Sequence, residues 1–272
     1  MAVEKGIGFI GGGQMAEALI KGLISAGFVS KEKVIASDPA VGRRDHLAKT
    51  YGVRATDSNK EVVSSSDIIV LAVKPQVISR VLEEINEYVT MDHLVLSIAA
   101  GIPLRLLQDG LPRDTRVVRV MPNTPALVGY GAAALSPGSF AREEDIMLAR
   151  DIMGAVGIVV VLPEHLMDAV TGLSGSGPAY VFAFIEGLID AGVREGLSRP
   201  VAAELVLQTV IGSAVMCKET GRHPSELASM VTSPGGTTID GLYMLEKGAF
   251  KGLLMDAVRA AVRRSMELGG HT

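Results

Sequence analysis

Ile7-Gly8-Phe9-Ile10-Gly11-Gly12-Gly13-Gln14-Met15-Ala16 is the stretch on which the fold turns. An apolar run, three glycines and residues of helical habit read as strand, tight turn and helix. The spacing Gly-x-Gly-x-x-Ala gives each small residue a task. Gly11 permits the turn, Gly13 lets the backbone approach a pyrophosphate, and Ala16 lets the helix pack close to the strand. The helix start then offers free N–H groups and a positive dipole end to phosphate. A glycine turn without a ligand is the plainer reading. The position of this one, at the first strand of an alternating series, argues for a dinucleotide.

That series runs through the first half of the chain. Residues 6–10, 34–36, 67–73, 94–98 and 116–120 read as strands, with helices predicted over 14–26, 41–50, 75–88 and 103–110. A helix over 143–153 and a strand over 158–161 close it. Alternation of this kind predicts a mostly parallel α/β sheet covered on both faces, a Rossmann dinucleotide-binding domain. The unbroken apolar run Ile68-Ile69-Val70-Leu71-Ala72-Val73 suits a strand buried on both sides. After Pro163 the pattern turns helical, over 178–195, 199–219, 224–231, 239–247 and 250–268. The expected organisation is therefore a sheet domain, residues 1–163, and an all-α domain, residues 164–272.

Composition narrows the function. A net charge of −4 over 272 residues argues against nucleic acid as a partner. The uncharged stretches 120–141 and 169–185 are broken by proline and glycine, and the start lacks a signal-peptide plan, so a cytoplasmic protein with no membrane partner is expected. The single cysteine, Cys217, excludes an internal disulfide, reads as a buried helix residue, and with scattered histidines leaves no expected metal site. Two helical stretches, 179–185 and 205–217, are apolar nearly all round. A helix without a polar face must be covered, so a homo-oligomer is expected.

Candidate contacts cluster at strand ends. Asp38 stands 22 residues beyond Ala16 (38 − 16), where an acidic residue would hold a ribose hydroxyl and favour NAD. Ser37, Arg43 and Arg44 offer the opposite, a hold on the extra phosphate of NADP, and Asp38 can also serve as a helix cap. Lys74-Pro75 and Ala99-Ala100-Gly101 follow two further strands, and Asn123 and Thr124 another. In the helical half, Leu173-Ser174-Gly175-Ser176-Gly177-Pro178-Ala179-Tyr180 and Val231-Thr232-Ser233-Pro234-Gly235-Gly236-Thr237-Thr238-Ile239-Asp240 are small-residue turns leading into helices. In the second, the N–H groups of Gly236, Thr237 and Thr238 can converge on an anion. The alternative there is a capping box built on Thr237 and Asp240.

Together with Ala72-Val73-Lys74-Pro75, Met121-Pro122-Asn123-Thr124-Pro125 and the run from Asp168 to Tyr180, these segments resemble the pyrroline-5-carboxylate reductase family over essentially the whole chain. The resemblance implies a Rossmann domain followed by a helical domain that interlocks with a second subunit, in homodimers or higher assemblies of dimers. It implies hydride transfer from NADPH or NADH to 1-pyrroline-5-carboxylate, giving L-proline. It carries cofactor binding onto Gly11, Gly13, Gln14, Met15, Asn59, Val73, Lys74 and Ala100. Substrate binding falls on Glu164, Ser233, Gly236, Thr237 and Thr238, with Thr238 hydrogen-bonding the ring nitrogen as the catalytic residue. Asp38 stands where some members have Ser for the 2′-phosphate. Two other readings compete. One is a related Rossmann imine or hydroxyacid reductase, though a hydroxyacid enzyme would be expected to carry a lysine that residues 171–195 lack. The other is a non-catalytic dinucleotide-binding regulator.

Overall fold

The computed structural model of the chain describes residues 4–270. Eight strands form one sheet: β1 (Ile7–Ile10), β2 (Val34–Ser37), β3 (Arg54–Thr56), β4 (Ile68–Leu71), β5 (Leu94–Ser97), β6 (Arg116–Met121), β7 (Gly131–Pro137) and β8 (Gly157–Val161). Their order is β3-β2-β1-β4-β5-β6-β7-β8. The first six run parallel, β7 is antiparallel to β6, and β8 is parallel to β7. This is the Rossmann order with a two-strand extension. Its direction of winding reverses at β1, which pairs with β2 on one side and β4 on the other. Ligands bind outside the carboxyl ends of strands at such a point.

The sheet helices are α1 (Gln14–Ser25), α2 (Val41–Tyr51), α3 (Asn59–Ser64), α4 (Ile78–Ile85), α5 (Leu104–Asp109) and α6 (Glu143–Gly154). Side chains alternate across each strand, and both faces are apolar. Ile7, Phe9, Val34, Ala36, Ile68 and Val70 pack with Leu19, Leu23, Leu47 and Ile152. Ile10, Ile35, Ile69, Leu71 and Val95 pack with Val62, Val63, Ile78, Leu82 and Leu107 on the other face. Each such Val, Leu, Ile or Phe side chain contributes about 1.5–3 kcal/mol by leaving water.

The helical part comprises α7 (Met167–Val170), α8 (Gly177–Arg194), α9 (Arg199–Thr220), α10 (Pro224–Met230), α11 (Thr237–Lys247) and α12 (Phe250–Leu268). The chain divides into two compact units, one of residues 4–176 with 260–270 and the other of residues 177–259. Residues 164–176 fall with the sheet because they are tied to it: Met167 is fully buried, and Glu164 is bonded to Arg119 of β6. In the second unit almost nothing is covered within the chain. Val181, Phe182 and Phe184 of α8 and Leu205, Leu207, Ile211 and Val215 of α9 are all exposed. Cys217 is half-buried rather than buried. By length and composition alone α9 could cross a membrane.

Three elements fall outside the alternation expected from sequence. β3 is three residues long and β7 is rich in alanine, a poor strand former. α3 is six residues long and is started by Ser58, whose hydroxyl accepts from Glu61 N. The helix expected over 75–88 is an eight-residue α-helix, α4, flanked by short 3₁₀ turns at Pro75–Val77 and Asn86–Tyr88.

Candidate active site

The glycine loop is shaped by contacts that only glycine tolerates. Gly11 has φ +99°, and a Cβ there would lie 2.6 Å from Ala72 O. Its N–H donates to Ser37 O at 2.9 Å, tying β1 to β2 beneath the loop. Gly13 is the N-cap of α1 and caps it with no side chain. A Cβ at Gly13 would meet nothing within 4 Å. The first-turn N–H groups of a helix have no intrahelical partner, and Gly13 and Gln14 are exposed. Gln14 and Met15 begin that turn. The residues present thus fit a pyrophosphate.

Around the loop, strand ends bring the other expected cofactor residues together. Ser37 is buried and its hydroxyl donates to Asn59 Oδ1 at 2.6 Å, while Asn59 Nδ2 donates to Glu84 Oε2 at 3.0 Å. Ser37 and Asn59 are thereby tied to each other. Asp38 accepts from Gly12 N at 2.9 Å through Oδ2 and from Ala40 N at 2.8 Å through Oδ1. Val73 and Lys74 follow β4 and Ala100 follows β5, Lys74 and Ala100 exposed and Val73 half-buried. Ten residues from five separate segments therefore lie at or beyond the carboxyl ends of β1, β2, β3, β4 and β5.

One cluster at this edge escaped the sequence reading. Glu17, in the first turn of α1, receives bonds from Arg43 Nη2 at 2.7 Å, Tyr51 Oη at 2.9 Å and His46 Nε2 at 2.7 Å. Burial works to raise its pKa, but the bonds from His46, Arg43 and Tyr51 outweigh it and hold the carboxyl at about 2. Burial and the bond to Glu17 push the Tyr51 hydroxyl up. Arg43 also donates to Gly12 O at 2.7 Å, so the cluster braces the loop from outside. An acidic residue four places into a phosphate-facing helix, with two arginines downstream, was the available signal.

Farther along the sheet, Glu164 does not stand free. Its Oε1 accepts from Arg119 Nη1 at 3.0 Å and from Leu104 N, the first amide of α5, at 2.5 Å. Arg119 is buried. A lone charge inside Val117-Val118-Arg119-Val120 demanded such a partner. Glu164 also lines a groove of about 790 Å³ beside α5, which no residue of the glycine loop lines. Asn123 differs from expectation more sharply. It is buried, donates to Ser174 O at 3.0 Å and accepts from Ala132 N at 2.8 Å, so its amide is spent on the main chain. Thr124 is exposed.

The two small-residue segments of the helical half differ in form. Thr171–Gly175 is a π-helical turn rather than an open loop, joining α7 to α8. Ser176 N reaches back five residues to Thr171 O at 2.8 Å. Gly175 lets this wide turn pass Met121, since a Cβ there would lie 2.5 Å from Met121 Cε. The second segment is a true turn. Ser233 O accepts from Gly236 N at 3.0 Å, and Gly235 takes φ +66°. Gly236, not Thr237, is the N-cap of α11, and no side chain caps it. The capping box on Thr237 and Asp240 is therefore not formed. Gly236 spends its N–H inside the turn, which leaves those of Thr237 and Thr238 at the open helix start.

Comparison with known proteins places this geometry. Residues 164–268 match the family described as pyrroline-5-carboxylate reductase dimerisation, and residues 6–101 the family described as NADP oxidoreductase, coenzyme F420-dependent. The chain is 49% identical to the pyrroline-5-carboxylate reductase of Methanosarcina acetivorans over 263 residues, covering 97% of each. The chain belongs to the pyrroline-5-carboxylate reductase family. Its enzyme from Synechocystis is likewise 49% identical, over 97% of this chain and 98% of the relative. The family's Plasmodium falciparum structure, solved with NADP bound, superposes with a TM-score of 0.91 at 39% identity, over 99% of this chain and 100% of that one. The hydroxyacid and regulatory readings are not favoured by these relatives. The apolar faces of α8 and α9 lie within the residues matched by the dimerisation family.

Proposed function

We infer that this chain reduces 1-pyrroline-5-carboxylate to L-proline with NADPH or NADH, the closing step of proline biosynthesis. The observation that carries the reading is the presence of two helix starts at glycine, α1 at Gly13 and α11 at Gly236, in a chain of this family. The first suits a pyrophosphate and the second a carboxylate.

In this reading Gly11, Gly13, Gln14 and Met15 cradle the diphosphate, Ser37, Asp38 and Asn59 meet the adenosine end, and Val73, Lys74 and Ala100 border the nicotinamide end. The bound cofactor supplies the hydride. Ser233 and Thr237 hold the substrate carboxylate at the turn that Gly236 closes, and the Thr238 hydroxyl hydrogen-bonds the ring nitrogen as it becomes an amine. Glu164 fixes the edge of the substrate site from its anchor on Arg119. A protonated imine is already electrophilic, so orientation does most of the work, potentially worth ~7–11 kcal/mol. The proposal includes a homodimer or an assembly of dimers, covering α8 and α9, and a cytoplasmic location.

Steady-state rates with pyrroline-5-carboxylate and each cofactor test the reading directly. Thr238→Ala should lower kcat at least ten-fold with an unchanged unfolding midpoint. Parent-like kinetics would remove Thr238 from the mechanism, and no turnover by the parent enzyme with either cofactor would reject the activity.

A further inference from the structure

The residues that meet the adenosine end of the dinucleotide carry a charge pattern that discriminates between the two cofactors. NADPH differs from NADH by a phosphate on the ribose 2′-oxygen. In sheets of this order that ribose lies at the carboxyl end of the second strand. Here that place is held by Asp38, half-buried just beyond β2.

Asp38 is a fixed carboxylate. Its two oxygens accept from different main-chain amides, Gly12 N at 2.9 Å and Ala40 N at 2.8 Å. Turning it away would leave the Gly12 amide without its acceptor. Each carboxylate oxygen retains acceptor capacity, which a ribose hydroxyl can satisfy and a phosphate cannot.

The cations that might welcome a phosphate are already engaged. Arg43 donates through Nε to Gly12 O at 2.7 Å and through Nη2 to Glu17 Oε2 at 2.7 Å. Arg44 donates through Nη1 to Asp38 O at 2.8 Å and Pro39 O at 3.0 Å, with Asp57 Oδ2 at 3.8 Å from Nη2. Glu17 and Asp57 thus already lie against the two guanidinium groups, and the Asp38 carboxylate, held by main-chain amides, adds a third negative charge. A phosphate monoester carries about −1.5 to −2 at neutral pH, so it would add to an excess of negative charge beside the loop.

We propose that this enzyme selects NADH over NADPH and that Asp38 decides the choice. The inference deepens the dinucleotide site described above and rests on it. Binding and turnover separate the two claims. Calorimetric titration of the full-length protein with NADH and NADPH, without imine, should give a Kd for NADH at least ten-fold lower. Asp38→Asn keeps an acceptor for Gly12 N and removes the charge. It should tighten NADPH at least ten-fold and weaken NADH, so that the ratio of the NADPH to the NADH Kd falls at least ten-fold. Equal or tighter NADPH binding by the parent protein overturns the proposal, as does an unchanged ratio in a folded Asp38→Asn. The parent ratio decides the matter even if that variant does not fold. Absence of imine turnover with both cofactors would instead reject the reductase reading and leave the binding ratio intact.

Discussion

Replacing Glu164 should cost the protein stability before it costs anything else. Its Oε1 serves two donors at once, the buried guanidinium of Arg119 at 3.0 Å and the first amide of α5 at 2.5 Å. The Arg119 side chain is 6% exposed and that of Glu164 is 35% exposed. Glu164→Ala strands a buried cation and an unmet helix-start donor. Breaking a buried pair from one side costs about 3–5 kcal/mol. Water reaches the Glu164 end and can enter the gap, so the lower figure applies, about 3 kcal/mol. Glu164→Gln keeps an acceptor for both donors and loses only the charge, for about 1 kcal/mol. For a chain of this size the alanine variant should melt roughly 6–12 °C lower. Urea unfolding at one fixed protein concentration reads the free energies, and calorimetry reads the melting shift. A Glu164→Ala protein within about 0.5 kcal/mol of its parent would refute the latch; a raised KM in that same protein would make Glu164 a substrate ligand alone.

The Glu17 cluster predicts a pH dependence. A carboxyl held at about 2 in the folded chain against 4.5 when free contributes stability that is complete above pH 4.5 and lost as the pH falls toward 2. At most this is about 3 kcal/mol; solvent beside the carboxylate reduces it to about 1–2 kcal/mol. The stability gap between the parent and Glu17→Gln should narrow across that window, and a gap that stays constant from pH 7 to pH 3 would refute the assignment. Gly13→Ser should leave folding stability unchanged or raised by about 0.5 kcal/mol, since no atom crowds the new side chain, yet weaken dinucleotide binding at least ten-fold in calorimetry. Retained affinity would show that the open start of α1 is not where the diphosphate sits.

Legibility in the sequence followed the range of the forces involved. The glycine loop was readable because a tight turn, a close backbone approach and a strand–helix contact each dictate a small residue at a local spacing. The long apolar strands were readable because two buried faces leave no place for a polar residue. β7 was not, since its alanines carry no strand preference and its place depends on pairing with β6. Asn123 looked like a ligand residue at a strand end. Only the fold, which brings the Ser174 carbonyl to it, reveals that the amide has a partner within the chain. Glu17 and Arg43 lie 26 positions apart, and no local pattern joins them. In the helical unit the apolar faces were legible, and among the described residues they stay exposed within the chain.

The distribution of helix caps gives the site its logic. Three helix starts are met by a side-chain acceptor: Ser58 for α3, His223 for α10, and Glu164, reaching from afar, for α5. α1 and α11 instead begin at glycines, Gly13 and Gly236. Lack of a cap alone does not mark a site, because α2 and α9 also start without a side-chain bond. Glycine does more than leave the cap unmade. At Gly13 it takes away the side chain that would otherwise stand beside the free amides, at a cost of only a few tenths of a kcal/mol against a capping residue, and at Gly236 a Cβ would lie 2.3 Å from Ser233 Oγ. At both ends of the proposed reaction the donors are therefore main-chain groups fixed by a helix. Such donors do not titrate and need little reordering when the ligand arrives, which suits an enzyme whose catalysis is orientation.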